Sequence, residues 1–263
     1  MAETFTGESR TILLRLAYDG TDFAGYQVQK RDRTVQSVLE AALHRLHDHP
    51  VRTTAAGRTD AGVHAVGQHV AFVTDHGGIP DESFAPALNS LLPGDVTVIR
   101  SRRVSATFHA QYDARMRHYR YHLYAAPVIL PHRRRYAWRI PEVPDLERLN
   151  RDAAAFVGQH DFIAFATIGE EGKSTVRDVQ YAGFRRQGDS LIFAIGATGF
   201  LRRMVRSIVG TLVERERYRL RREAVPFTME ELIGGRDRSR VGTTAPPWGL
   251  FFHDVDYDLD TDE

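Results

Sequence analysis

The residues from Gly57 to Ala65 read Gly-Arg-Thr-Asp-Ala-Gly-Val-His-Ala and bring a guanidinium (Arg58), a carboxylate (Asp60) and an imidazole (His64) into one short stretch. Gly57 and Gly62 let the backbone bend sharply and let a ligand approach it closely. A carboxylate displayed there can act as a nucleophile or as a general base. The same residues also suit a tight turn in which Asp60 caps the following N–H groups, and composition leaves both readings open. His44, His47 and His49, followed by His64 and His69, raise the question of a metal-dependent hydrolase. Such a zinc site needs two histidines one helical turn apart with a positioned carboxylate, as in His-Glu-x-x-His, and that arrangement is absent. These histidines are therefore read as surface residues and no metal is expected. The chain has no cysteine, which excludes disulfides, thiolate metal sites and cysteine nucleophiles.

The elements that must position this loop are legible on either side of it. Thr11 to Tyr18 alternates as a strand with Ile12, Leu14, Leu16 and Tyr18 on one face. Thr34 caps a helix carrying Val35, Val38, Leu39, Ala42, Leu43 and Leu46 at helical spacing. Val66 to Val73 reads as a strand with Val66, Val70 and Phe72 facing together, Ser83 to Leu92 as a short helix stopped by Pro93-Gly94, and Val96 to Val104 as a strand. The second half has a similar rhythm. Arg117 to Tyr124 is strand-like, and Pro127 to Pro144 is a loop with arginines at 133, 134 and 135. Asp145 caps a helix over Leu146 to Val157, and an antiparallel pair, Thr175–Phe184 with Leu191–Ala197, turns at Gly188-Asp189. A helix striped by Leu201, Met204, Val205, Ile208, Val209, Leu212 and Val213 follows, and Thr228 to Glu231 forms a capping box for a last one. Mixed strands and helices without βαβ repetition predict an α+β fold with a largely antiparallel sheet, in two halves divided as 1–105 and 106–263.

A formal net charge of +1 conceals a segregated distribution. Residues 100–139 hold ten arginines against Asp113 alone, and residues 202–222 hold eight against Glu214 and Glu216, while the last ten residues carry six acids. Solvated charged faces account for either basic run alone. Two runs interleaved with Phe108, Tyr112, Tyr119, Tyr121, Phe200 and Tyr218 favour a polyanionic partner. No apolar run approaches the roughly 20 residues that span a bilayer, and the N-terminus lacks an apolar signal region. The expectation is a soluble, cytoplasmic protein without a membrane partner.

The Gly57–Ala65 stretch resembles the signature of the tRNA pseudouridine synthase A family at every position. The resemblance runs from about Leu14 to Phe252. Tyr18-Asp19-Gly20-Thr21-Asp22-Phe23-Ala24-Gly25-Tyr26-Gln27-Val28-Gln29 is similar to the family's opening motif, which more often has Trp where Tyr26 stands. Phe108-His109-Ala110 with Arg117-His118-Tyr119-Arg120-Tyr121 resembles its central strand, and Gly158-Gln159-His160-Asp161-Phe162 a further block. Phe200-Leu201-Arg202-Arg203-Met204-Val205-Arg206 is similar to its long helix, with Arg202-Arg203 where Tyr/His-type residues are common. Ala245-Pro246-Pro247-Trp248-Gly249-Leu250 resembles its C-terminal loop.

The resemblance implies the pseudouridine synthase fold, two α+β halves sharing a largely antiparallel mixed sheet with flanking helices and a central RNA-binding cleft. It implies an isomerase converting uridines 38, 39 and 40 of the tRNA anticodon stem-loop to pseudouridine, without cofactor or metal, as a homodimer. Asp60 is the implied nucleophile, and Arg206 the cation that pairs with it and keeps it ionised. Tyr119 would pack against the flipped target base, and Arg58 would displace that base from its stack. A non-catalytic RNA-binding protein on the same scaffold is the alternative, disfavoured because binding alone needs basic surface and not this set.

Overall fold

The computed structural model describes residues 8–167 and 174–259 and resolves into two compact units. The first comprises residues 1–117 and 252–263, the second residues 118–251. The first unit thus runs on past the expected division at 105 and takes back the C-terminal strand, which a linear reading cannot show.

Its elements are β1 (Arg10–Tyr18), α1 (Val35–His47), β2 (Thr53–Ala55), β3 (His64–Thr74), α2 (Phe84–Asn89) and β4 (Val96–Val104). β5 (Ala114–Ala125) begins in this unit and passes into the second. β1 pairs antiparallel with both β3 and β4, and β2 pairs antiparallel with β3. Ile12, Leu14 and Leu16 of β1 are fully buried with Leu39 and Leu43 of α1 and Phe84 of α2. Phe72 meets Phe84 edge-on at 5.4 Å, which brings β3 against α2. Thr34 caps α1 as its sequence predicts, closing a capping box with Ser37. One expected register fails. Val66 is 37% exposed whereas Val70 and Phe72 are buried. Leu16 faces Gln68 but Tyr18 faces Ala65, so β3 holds one extra residue and every side chain before this bulge changes face.

On the other side of this sheet Leu13, Ala71 and Ala110 form a smaller cluster with Val104, Phe108 and Leu259. Beside it Arg15 pairs with Asp254 at 2.9 Å, and Asp258 pairs with Arg115. The acidic end therefore supplies ion pairs to the first unit; residues 260–263 of that run lie outside the described residues. His69 sits in this region, and burial pushes its imidazole down to about 4, with Arg15 and Arg102 lowering it further against the opposing charge of Asp254. At neutral pH it is uncharged, so its 3.9 Å approach to Asp254 is no ion pair. A histidine held neutral in the fold and titrating near 6.5 in the unfolded chain binds fewer protons when folded. Its contribution is complete above about pH 6.5 and is lost as pH falls towards about 4, by up to about 3 kcal/mol. The melting temperature of the native chain is expected to fall more steeply across that window than that of His69→Gln, which thermal unfolding at stepped pH measures.

The second unit contains β6 (Trp138–Ile140), α3 (Leu146–Ala154), β7 (Gly158–Asp161), β8 (Val176–Gln187), β9 (Ser190–Ala197), α4 (Met204–Leu220) and α5 (Met229–Gly234), and β10 (Leu250–Tyr257) leads back to the first. β7, β8 and β9 pair antiparallel, and β6 pairs parallel to β5, so the sheet structure is mixed. The β8–β9 turn falls at Gly188, whose φ of 60° glycine adopts without strain. Asp145 and Thr228 cap α3 and α5 as expected. α4 differs from its expectation in two ways. It starts at Met204 because Arg203 is left-handed (φ 63°), which leaves Leu201 and Arg202 outside the helix. It is also buried around most of its first turns rather than along one stripe. Below these turns Arg215 and Arg219 both reach Asp152 at 2.9 Å, and Arg148 reaches the buried Glu216 at 2.6 Å, which ties α4 to α3. No helix among the described residues is long and apolar enough to cross a membrane.

Candidate active site

The 57–63 loop enters β3 with its backbone fixed at almost every residue. Before it, Arg117 donates from Nε and Nη2 to the Ala56 carbonyl at 3.2 Å. The Gly57 carbonyl accepts from Nε2 of the fully buried Gln68 at 2.8 Å. A side chain at Gly57 would meet the Phe252 ring, with its Cβ only 2.9 Å from that ring. Thr59 is buried, and its hydroxyl shares a 2.8 Å hydrogen bond with Tyr18. Burial pushes the Tyr18 phenol up to about 12, so it stays protonated at neutral pH. Val63 N–H donates to the Asp60 carbonyl at 3.1 Å, and Gly62 takes φ 75°, the third position of a type II turn.

A second backbone segment grips the loop from the other side. Tyr26 N–H donates to the Thr59 carbonyl at 3.0 Å, and Gly62 N–H to the Phe23 carbonyl at 3.3 Å. Gly25 lies so close that a Cβ would stand 2.8 Å from the Thr59 oxygen, and its φ of 105° excludes ordinary side chains. The Gly25 and Tyr26 carbonyls accept from Val35 and Gln36 in the first turn of α1, so the grip is anchored on that helix. Gly20 N–H donates to His64 Nδ1 at 3.0 Å. Nδ1 also lies 3.2 Å from Asp19 Oδ1. The fixed backbone donor decides the tautomer: Nδ1 is the acceptor, and Asp19 Oδ1 takes its hydrogen bonds from Thr21. With the backbone held in this way Asp60 is half-buried and Arg58 exposed. The carboxylate sits in a rigid turn, which is what positioned nucleophilic chemistry requires.

The other two candidate residues belong to the second unit. Tyr119, on β5, is 8% exposed and meets Phe200 edge-on at 5.0 Å. Arg206 lies in the first turns of α4, half-buried, and donates from Nε to the Ala245 carbonyl at 2.8 Å. Ala245 N–H returns a bond to the Arg206 carbonyl at 3.0 Å. The next carbonyl, Pro246, accepts from the Tyr121 hydroxyl at 2.8 Å, and Gly249 is closed to any side chain by the Tyr121 ring. The Ala245–Gly249 loop is thus a mooring for Arg206.

The sequence profile described as tRNA pseudouridine synthase matches residues 16–113 and 153–258. The chain belongs to the tRNA pseudouridine synthase family. Among its relatives, tRNA pseudouridine synthase A of Treponema denticola is 40% identical over 256 residues, covering 95% of this chain and 94% of that protein. The Halalkalibacterium halodurans protein of the same name is 42% identical, covering 92% and 90%. That of Exiguobacterium sp. is 39% identical, covering 95% and 98%.

His47 and His64 are buried, not surface residues as the sequence suggested. His47 bonds Leu43 and Thr74 through its two nitrogens, and His64 takes the Gly20 N–H. These are structural roles. Tyr18, read there only as a strand residue and the start of the opening motif, is a support of the loop that sequence reasoning missed, and Gln68 is another. A glutamine at a core register of β3 is the one local signal that pointed to it, because buried amides are present to satisfy a specific partner.

Proposed function

We propose that this chain converts uridine to pseudouridine at positions 38, 39 and 40 of the tRNA anticodon stem-loop, with Asp60 as nucleophile. Membership of the family makes it a tRNA-acting isomerase; the positions and the residue roles are the finer reading. The observation that carries it is the Gly57–Val63 loop, whose backbone is pinned from two sides while Asp60 stays half-buried rather than spent in the core. In the reaction the bond from ribose C1′ to uracil N1 breaks and a bond from C1′ to C5 forms; C5 loses its proton and N1 gains one. Substrate and product are isomers, so neither oxidant nor energy source enters. Asp60 supplies the carboxylate that assists departure of the base and then leaves. Arg206 keeps that carboxylate ionised by its positive charge, Tyr119 receives the flipped base on its ring, and Arg58 displaces the base from its stack. A homodimer in the cytoplasm completes the reading.

The test uses an unmodified tRNA transcript carrying tritium at uracil C5, with chelator present. Release of tritium mapping to positions 38–40 is the expected result. Tight binding of the transcript with no release would favour the non-catalytic alternative. Within this reading Tyr119 acts through its ring. Tyr119→Phe is expected to retain turnover within a few-fold, whereas Tyr119→Ala loses stacking of about 1–3 kcal/mol, roughly 10- to 100-fold in kcat/KM. Equal loss in both variants would assign the hydroxyl instead.

A further inference from the structure

Arg203 and Arg238 are brought to one short stretch of the second unit, residues 163–167, and neither is ion-paired among the described residues. Thr167 donates from its N–H (3.2 Å) and its hydroxyl (3.3 Å) to the carbonyl of Arg202, which fixes the chain immediately before Arg203. Arg238 donates to the Ala164 carbonyl at 3.5 Å and to the Thr244 hydroxyl at 2.9 Å. Burial holds the Arg238 guanidinium below its ordinary range, and the neighbouring Arg203 charge adds to this. Among the described residues, the acids beside this segment are committed elsewhere. Asp237 accepts from the Ser239 N–H and hydroxyl and lies 3.4 Å from Arg240. Asp161 is bonded by Thr175 and paired with Arg236 at 2.8 Å.

Arg203 also carries strain. Its φ of 63° and ψ of 4° lie in the left-handed region, where glycine is at ease and a long side chain is not. The Arg203 side chain is exposed and makes no hydrogen bond or ion pair among the described residues, so its use is to be sought in what it reaches. Two like charges anchored on one five-residue segment, one moored by hydrogen bonds and one displayed, bind an oxyanion better than either alone, because each planar fork offers paired N–H donors.

We propose that Arg203 and Arg238 form a two-arginine clamp for a backbone phosphate of the RNA substrate, at the foot of the helix that carries Arg206. The inference rests on the tRNA reading above and assigns a binding function to residues outside its base pocket. Since both arginines lie off the reacting atoms, they act on substrate capture and not on bond making.

The experiment compares the native chain with Arg203→Gly and Arg238→Gln on the unmodified tRNA transcript, reading kcat, KM, Kd by filter binding, and melting temperature. Arg203→Gly relieves the backbone strain, so its melting temperature is expected to stay level or rise while KM and Kd rise about 10-fold. Each variant is expected to keep kcat within about two-fold and to reduce the slope of log Kd against log salt by about one. Unchanged KM, Kd and salt slope in Arg203→Gly would overturn the clamp whether or not Arg238→Gln folds. A fall in kcat without a change in KM would overturn it too, by making Arg203 part of the chemistry. If the native chain binds the transcript but releases no tritium, the isomerase reading fails, and the Kd comparison still decides the clamp.

Discussion

Asp60→Asn is expected to leave the fold and RNA binding intact while cutting tritium release from C5-labelled tRNA by at least roughly 10³-fold, the scale of losing a reacting group. The substitution is nearly isosteric, and the turn that holds residue 60 is made by backbone groups: the Asp60 carbonyl accepts from Val63, and Thr59 and Gly57 are bonded on the residues before it. None of these depends on the carboxylate charge. The melting temperature is therefore expected to change by less than a few degrees, which separates this variant from one that merely unfolds. Turnover comparable to the native enzyme would remove Asp60 from the mechanism. Native-like turnover in Asp60→Asn with loss in Asp60→Ala would instead mark the residue as a hydrogen-bonding support.

The second large effect is expected from Gly25→Ala, a change that touches no reacting group. Two costs coincide there. The φ of 105° is closed to an alanine, and the new Cβ would lie 2.8 Å from the Thr59 carbonyl oxygen, a backbone atom with no rotamer to yield. Relief requires the 24–26 segment or the Thr59-Asp60 backbone to move. Strain of this kind costs about 1–3 kcal/mol, and displacement of a catalytic group by about 1 Å can cost 10²-fold in rate. Gly25→Ala is thus expected to lower kcat by about 10²-fold with a small change in KM, alongside a measurable loss of thermal stability. Gly94→Ala is the matched control, since a Cβ at Gly94 meets nothing within 4 Å. Equal kinetics in the two variants would show that the 24–26 segment does not hold the loop.

Much of the fold was legible in the sequence where its cause is local. Thr34, Asp145 and Thr228 announce helix starts because a cap acts within three residues. Gly188 announces its hairpin because one dihedral angle requires it. The failures have non-local causes. The β3 bulge that turns Val66 outward is a property of its pairing with β1. The start of α4 was misplaced because Leu201 fits the apolar spacing while Arg203 adopts a backbone angle that its residue type disfavours. β7 is a four-residue strand held by its partner β8, too short to show a period. The candidate site divides in the same way. The Gly57–Ala65 loop stood out by residue type, but its supports carry no reactive chemistry of their own: Tyr18 and Gly25 lie about thirty to forty residues before it, and Gln68 shows its role only once its burial is known.

The return of β10 to the first unit bears on how the molecule is made. Phe252 packs against Gly57 at the base of the Gly57–Val63 loop, the His253 carbonyl lies where a side chain at Gly67 would fall, and Asp254 pairs with Arg15. On the ribosome these partners emerge only after the whole second unit has been synthesised. The first unit, made first, cannot close its sheet or brace the loop until then, whereas domains ordinarily fold in the order of their synthesis. A nascent or prematurely terminated chain would therefore expose its basic surface with the Asp60 loop unbraced. The bracing of the Asp60 loop is thus tied to the completion of translation, and a fusion or trimming at the C-terminal strand is expected to act on a loop almost two hundred residues upstream.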